Sequence, residues 1–149
     1  MNKFMAEAIK EARKAAATGE IPVGAVVVCD GKIIARGHNK REASQIATKH
    51  AEIIAIEKAC KKLKSWRLDD CEIYVSLEPC PMCAGAIANA RISKLYFAAK
   101  EKTSQDGLLE KIISSARLNH KVEYGFTPCE EASKILTDFF KNKRKKTEI

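Results

Sequence analysis

No apolar run in this chain approaches the ~18 residues that a membrane-spanning helix needs. Val23–Cys29 is among the longest and is only strand-sized. The opening residues Met1-Asn2-Lys3-Phe4-Met5-Ala6-Glu7 carry one early lysine but no apolar segment, so no signal peptide is expected and the chain reads as cytoplasmic. Internal repeats and low-complexity linkers are missing, and the composition does not break before the basic C-terminal end. These absences lead us to expect one globular domain rather than a helical membrane protein, a repeat array or a string of domains. What is present is 149 residues, 46% apolar and 31% charged, the profile of a globular chain. One domain, 1–149, accounts for that length, with a tail at 141–149. A domain of this size buries roughly 70% of the surface of its unfolded chain, enough for a core without staples.

Acids are outnumbered, 19 Asp and Glu against 27 Lys and Arg, for a net charge of +8. Half of that excess lies in the last nine residues, where Lys141, Lys143, Arg144, Lys145 and Lys146 face only Glu148. A second basic cluster comprises Lys58, Lys61, Lys62, Lys64 and Arg67. Such clusters fit a polyanionic partner, because each neutralised phosphate releases condensed counterions. A solvated helix face and a frayed terminus would give the same pattern, so charge alone leaves the partner open.

Short cysteine spacings are scarce too. Of Cys29, Cys60, Cys71, Cys80, Cys83 and Cys129, only Cys80 and Cys83 lie close in sequence. In a reducing compartment such a pair points to metal or catalysis rather than a disulfide framework. The other four sit in apolar stretches or near element ends and read as buried structural thiols.

The apolar periodicity predicts a helix over Phe4–Ala17, stopped by Gly19, with Met5, Ala8, Ile9, Ala12 and Ala16 on one face. Strands at Val23–Cys29 and Lys32–Arg36 flank the hairpin signal Asp30-Gly31. His38–Ala47 reads as a polar loop, and Thr48 as the cap of a helix to about Leu63 that buries Ile53, Ile54, Ile56 and Cys60. A strand at Glu72–Leu77 precedes a helix opened by Pro81, which suits a first turn because its missing N–H has no partner there. Lys94–Ala99 is a strand, Leu108–Leu118 a helix, Lys121–Tyr124 a strand, and Glu130–Lys143 a helix with Ile135, Leu136, Phe139 and Phe140 inward. Helices alternating with strands imply an α/β fold of three layers, α/β/α, with a mostly parallel sheet entered by one antiparallel hairpin. The helix between the last two of five strands is long enough for a crossover, so those strands can run parallel; a tight hairpin would make them antiparallel.

His50-Ala51-Glu52 opens one helix, and Pro79-Cys80-Pro81-Met82-Cys83 opens the next. Cysteines three apart in a first turn share a face, and a helix N-terminus favours thiolate over thiol. One imidazole and two thiolates form a soft set suited to zinc. No fourth ligand is obvious, and an open fourth position marks a catalytic rather than a structural zinc. Water on such a zinc has a pKa near ~7, and Glu52 is the group available to move its protons. In a regular helix, however, residues two apart point to nearly opposite sides. His50 and Glu52 can face one ion only if the motif lies at the very start of its helix. A lone C-x-x-C could be a redox pair and a lone Glu52 a surface acid. It is their combination, each motif opening a helix, that matches the H-x-E…P-C-x-x-C signature of zinc base deaminases.

On these residues the chain resembles the cytidine deaminase superfamily and, within it, the bacterial tRNA-specific adenosine deaminases. The likeness runs through 19–26 (Gly-Glu-Ile-Pro-Val-Gly-Ala-Val), His38-Asn39, Trp66-Arg67-Leu68, 77–87 around the two cysteines, Leu118-Asn119-His120 and Phe139-Phe140 with the basic tail. The resemblance implies a cytidine-deaminase-like fold with a central five-stranded mixed sheet whose last two strands are parallel. It implies one Zn2+ per chain on His50, Cys80 and Cys83. The implied reaction is hydrolysis of adenosine to inosine at the wobble position of a tRNA anticodon, tRNA-Arg above all. Zinc-bound hydroxide would attack C6, with Glu52 as proton shuttle. It further implies that Asn39 contacts the base, Val23 forms a pocket wall, Ala51 offers a backbone contact, and Arg67 and Asn119 touch RNA. Homodimers whose sites draw on both subunits, and a single-stranded anticodon loop as partner, belong to the same picture.

The chain departs from the family at Lys100, commonly acidic, at Ser104-Gln105-Asp106, commonly Gly-rich, and at Lys49, commonly small. Two rival functions fit the zinc motif: a free-base or nucleotide deaminase acting on guanine or a pyrimidine, and a non-catalytic zinc-stabilised RNA-binding subunit. The basic tail and Arg67 speak against the first, and the presence of Glu52 against the second. His38 and His120 read as hydrogen-bonding residues rather than ligands.

Overall fold

The computed structural model describes residues 2–101, 107–115 and 120–147, the side chains of 145–147 excepted. Asn2 caps α1 (Lys3–Ala17): its Oδ1 accepts the N–H groups of Phe4 and Met5 at 2.7 and 3.2 Å, satisfying two donors that the first turn leaves unpaired. The helix ends in a Schellman turn, with Gly19 at positive φ and the N–H groups of Gly19 and Glu20 returning to Ala16 and Ala15. β1 (Gly24–Cys29) passes through Asp30-Gly31 into β2 (Lys32–His38). Both turn residues have positive φ, 52° and 73°, the twist that a two-residue hairpin requires. Ile34 is the extra residue of a bulge, since Val27 pairs with Ala35 and Val28 with Ile33.

The remaining elements are α2 (Arg41–Ser44), α3 (Ala51–Leu63), β3 (Cys71–Val75), α4 (Pro81–Asn89), β4 (Lys94–Phe97), α5 (Leu108–Ile113), β5 (Glu123–Phe126) and α6 (Glu130–Thr147). The sheet order is β2-β1-β3-β4-β5. β1 is antiparallel to both neighbours, whereas β3, β4 and β5 run parallel. The expected five-stranded mixed sheet with parallel last strands is therefore what the chain forms. Among the described residues, no helix is long and apolar enough to cross a membrane.

β1 is covered on both faces, which explains its unbroken apolar run. Val26 and Val28 pack with Met5, Ala8 and Ile9 of α1 and Ala132 of α6. Ala25 and Val27 join Ala55 and Ala59 of α3, Ile87 of α4 and Ile113 of α5 on the other face. Two glycines permit unusually close helix–strand approach. A Cβ on Gly24 would stand 2.1 Å from the Ala8 carbonyl oxygen, and one on Gly37 would stand 2.5 Å from that of Ala51. Gly37 thus lets the first turn of α3 sit directly on β2.

Several expectations shift. The loop at 38–47 contains the one-turn helix α2, and His38 closes β2. Thr48 does not cap α3; His50 occupies that position. The last strand lies at Glu123–Phe126, two residues beyond the expected segment, because pairing with β4 and not local composition sets its register. Of the predicted helix 108–118, residues 108–113 are helical and 116–118 lie outside the described residues. Phe140 is 43% exposed rather than inward. α6 runs to Thr147, past its expected end at Lys143 and through most of the basic tail.

Replacing Gly37 by alanine sets a methyl against backbone on α3, Ala51 O and Ala55 N, which no rotamer change relieves. Overpacking of that kind costs about 1–3 kcal/mol. Gly37→Ala should therefore lower the urea midpoint of the zinc-loaded protein and weaken its hold on zinc. An unchanged midpoint and zinc affinity would show that α3 moves aside freely.

Candidate active site

Strand direction brings the two motif helices together. Because β1 runs against β3, its start lies beside the end of β3: Ser76 N–H donates to Gly24 O, and Gly24 N–H to Ser76 Oγ, both at 3.0 Å. β2 ends at the same edge, with His38 opposite Gly24. The chain leaving β2 passes through α2 into α3 and the chain leaving β3 enters α4, so both helices begin over one end of the sheet. In open α/β sheets that end, beyond the carboxyl termini of the parallel strands, is where ligands bind.

His50 is the N-cap of α3 and Cys80 the N-cap of α4, both with extended backbone (φ −80°, ψ 156° and φ −70°, ψ 169°). This resolves the two-residue spacing problem. Being outside the helical spiral, His50 turns inward together with Glu52 of the first turn. Cys83 reaches the same point from one turn inside α4. His50 Nδ1 stands 3.7 Å from Cys80 Sγ and 3.6 Å from Cys83 Sγ. Ligands at about 2.3 Å for sulfur and about 2.0–2.1 Å for nitrogen on one tetrahedral zinc stand about 3.6 Å apart. The three residues fit one zinc, and among the described residues no fourth His, Cys, Asp or Glu joins the group.

Glu52 is 3% exposed. Burial pushes its carboxyl up to about 7, reinforced by the negative charge at Cys80, while its own N–H and the Cys83 thiol pull the other way. Cys80 behaves oppositely. The Cys83 thiol donates to it, and with the N–H groups of Cys83 and Met82 and the His50 ring this holds it down at about 5 against burial. Cys83 is correspondingly pushed far up, by that hydrogen bond to Cys80 and by burial. A coordinated thiol loses its proton, so holding the ion requires both cysteines as thiolates.

The structure distributes the expected substrate residues unevenly. Asn39 lies on the cleft wall. Its Nδ2 donates to Ile21 O at 3.0 Å and its Oδ1 accepts Ala51 N–H at 2.8 Å. Asn39 therefore ties the segment before β1 to the first turn of α3, and keeps one amide N–H for another partner. Val23 also lines the cleft. Ala51 is fully buried and its N–H is already engaged by Asn39. Arg67 is elsewhere. It lies beyond the C-terminal end of α3, about 20 Å of helix from His50, bonded to Asp69 at 2.9 Å and stacked with Arg91 against the exposed Trp66. Asn119 lies outside the described residues, as do Ser104-Gln105-Asp106. His38 bonds Glu11 at 3.1 Å and His120 bonds Ile92 O at 2.7 Å, hydrogen-bonding roles in both cases. Lys49 pairs with Glu57.

The cleft over this cluster has a volume near 950 Å3, at the upper end of what holds a drug-sized ligand (about 300–1,000 Å3). One residue with no role assigned by sequence proves structural to it. Glu20, 2% exposed, accepts the N–H groups of Glu42 and Ala43 at 3.0 and 2.8 Å and so pins α2 to the cleft rim. Its partners are more than twenty positions away, so no local pattern could have revealed this. The outer wall is apolar, from Leu108, Ile112, Leu136 and Phe140, and then basic, from Lys143 and Arg144.

Comparison with known proteins agrees with the geometry. The profile of the MafB19-like deaminase family matches residues 1–144. The chain is 47% identical over 145 residues to a tRNA-specific adenosine deaminase of Bacillus subtilis (strain 168), covering 96% of this chain and 90% of that one. A solved tRNA:A34 deaminase, studied for A-to-I editing at the wobble position of transfer RNA, superposes with a TM-score of 0.83 at 38% identity. The match covers 89% of this chain and 98% of that one. A solved guanine deaminase from Bacillus subtilis superposes with a TM-score of 0.63 at 48% identity, over 67% of this chain and 66% of that one.

The raised Glu52 carboxyl has a pH signature. Between the ordinary glutamate value of 4.5 and about 7, the unfolded chain binds fewer protons at this residue than the native one, so stability falls as pH rises. At about 1.4 kcal/mol per unit of separation, the loss reaches roughly 3 kcal/mol above pH 7. In the metal-stripped protein, Glu52→Gln should raise the urea midpoint above pH 7, with the gain closing as pH falls through that window. A gain independent of pH would mean that Glu52 is not the group that ionises there.

Proposed function

Because the chain belongs to the bacterial tRNA-specific adenosine deaminases of the MafB19-like deaminase family, we propose that it hydrolyses adenosine to inosine at the wobble position of a tRNA anticodon, tRNA-Arg in particular. The observation that carries the mechanism is the buried Glu52 carboxyl beside a three-residue zinc cluster on the floor of a roomy cleft. His50 Nδ1 and the sulfurs of Cys80 and Cys83 would hold the ion. When bound, zinc supplies the Lewis acidity that makes water acidic enough to act as a nucleophile near neutral pH.

The chain's own residues do the rest. Glu52, buried beside the ligand set, is placed to take a proton from water, deliver it to the purine ring nitrogen and assist the leaving amine. Water enters and ammonia leaves. Asn39, locked by two hydrogen bonds, offers its remaining amide N–H to the base, and Val23 flanks it. The apolar wall and the cations of α6 extend the cleft beyond a single base, which suits a splayed anticodon loop better than free guanine. Arg67 lies beyond the far end of α3, about 20 Å of helix from His50; in a homodimer whose sites draw on both subunits it would serve RNA bound at the partner's cleft. With tRNA as substrate, the working compartment is the cytoplasm.

Turnover should be measured on a tRNA-Arg anticodon stem-loop and on free guanine. Inosine should form in the stem-loop, with guanine unreactive; the reverse result would make the chain a free-base deaminase. Glu52→Ala should keep zinc and stem-loop binding while kcat falls by about 10²–10⁴-fold. An unchanged rate would remove Glu52 from proton transfer.

The role of α6 is tested by salt. Neutralising Lys143 and Arg144 to alanine should weaken stem-loop binding and flatten its log–log salt dependence by about one unit per lost phosphate contact. An unaltered slope would leave both residues outside the RNA track.

A further inference from the structure

Two of the cysteines that the active site does not use are set opposite one another. Cys29 ends β1 and Cys71 begins β3, and they are direct partners in the antiparallel register. Directly opposed residues project to the same face of a sheet, and both side chains belong to the core layer beneath α3 and α4. Antiparallel partners come in two kinds, and the backbone shows which this is. Cys71 N–H donates to Leu68 O at 3.1 Å, and Cys71 O accepts from Ser93 N–H and Ser93 Oγ at 3.0 and 2.9 Å. Its polar groups therefore point away from β1. Cys29 closes the two-residue hairpin opposite Lys32, so its own N–H and C=O turn toward β2. The pair is thus the non-hydrogen-bonded kind, with Cα atoms about 4.5 Å apart and side chains at their closest. That spacing lies within the range a disulfide spans, about 4.4–6.8 Å.

We infer that Cys29 and Cys71 form a redox-modification site: a reversible cross-strand disulfide made by reaction with small-molecule disulfides such as oxidised glutathione. Cys29, partly accessible, is the entry point, and Cys71, fully buried, resolves. The Cys29 thiolate attacks one sulfur of glutathione disulfide and releases one glutathione thiolate. Cys71 then gives up its proton and attacks Cys29 Sγ, displacing the second glutathione. Two protein thiols become one disulfide and one glutathione disulfide becomes two glutathiones. Burial pushes the Cys71 thiol up to about 12, so this second displacement is slow and speeds up with pH.

The bond lies at the end of β1 and β3 remote from the zinc ligands, roughly 15 Å along the strands. It closes a long loop that contains β2 and α3, so it should stabilise the fold without disturbing the metal site. The inference does not depend on the deaminase reading.

The test treats the zinc-loaded full chain with oxidised glutathione under native conditions, followed by non-reducing peptide mapping. The expected product links the Cys29 and Cys71 peptides, retains zinc, reverts with dithiothreitol, and melts on the order of 5–10 °C higher. Cys29→Ser should fold with the melting temperature of the reduced protein and lose both the link and the gain. The proposal is overturned if Cys29 stops as a glutathione adduct with Cys71 still a free thiol, if Cys29 pairs with another cysteine, or if the linked form melts no higher.

Discussion

His50, Cys80 and Cys83 meet because the two helices carrying them start over the same end of the sheet, each with a ligand at its N-cap. An N-cap residue has left the helical spiral but still lies against the first turn, so its side chain can aim where no residue inside the helix could. Both caps here give up the usual Ser, Thr, Asp or Asn for a metal donor. Neither makes a side-chain capping hydrogen bond. The positive ends of two helices then face the charge that two cysteine sulfurs bring to a metal. Zinc is the group that reconciles these features, since it needs the thiolates that the helix ends favour.

Electrostatics around that point separates the roles of neighbouring acids. Cys80 is held down by donors that surround it, whereas Glu52 is held up by burial. The first shift favours the thiolate that a metal takes, and the second favours the neutral acid. The same burial is a stability liability whenever Glu52 is charged and the metal is missing.

The rest of the fold serves to keep the floor of the cleft rigid and its rim shaped. Gly37 lets α3 rest against β2, Asn39 ties the first turn of α3 to the segment before β1, and Glu20 fastens α2 to the same segment. The outer wall is looser in chemistry, apolar from α5 and then basic from the end of α6. A rigid floor with a long, partly charged wall suits one base held tightly while its neighbours are held by their backbone.

Much of this was legible in the residue string. Apolar periodicity located the helices and strands, Asp30-Gly31 announced its hairpin, and the alternation of elements implied three layers with final strands that could run parallel, as the family resemblance implied they did. The donor set His50, Cys80 and Cys83, with Glu52 beside it, could be picked out because zinc chemistry restricts both residue type and spacing. What could not be read was anything fixed by partners distant in the chain. The N-cap geometry that lets His50 and Glu52 face one point, the role of Glu20, the outward turn of Phe140, the distance of Arg67 from the cleft and the opposition of Cys29 to Cys71 all depend on how strands pair. Composition along a chain dictates which element forms and which chemistry is on offer. Only the packing of those elements decides which groups lose water, which charges share a neighbourhood, and which side chains end up within bonding reach.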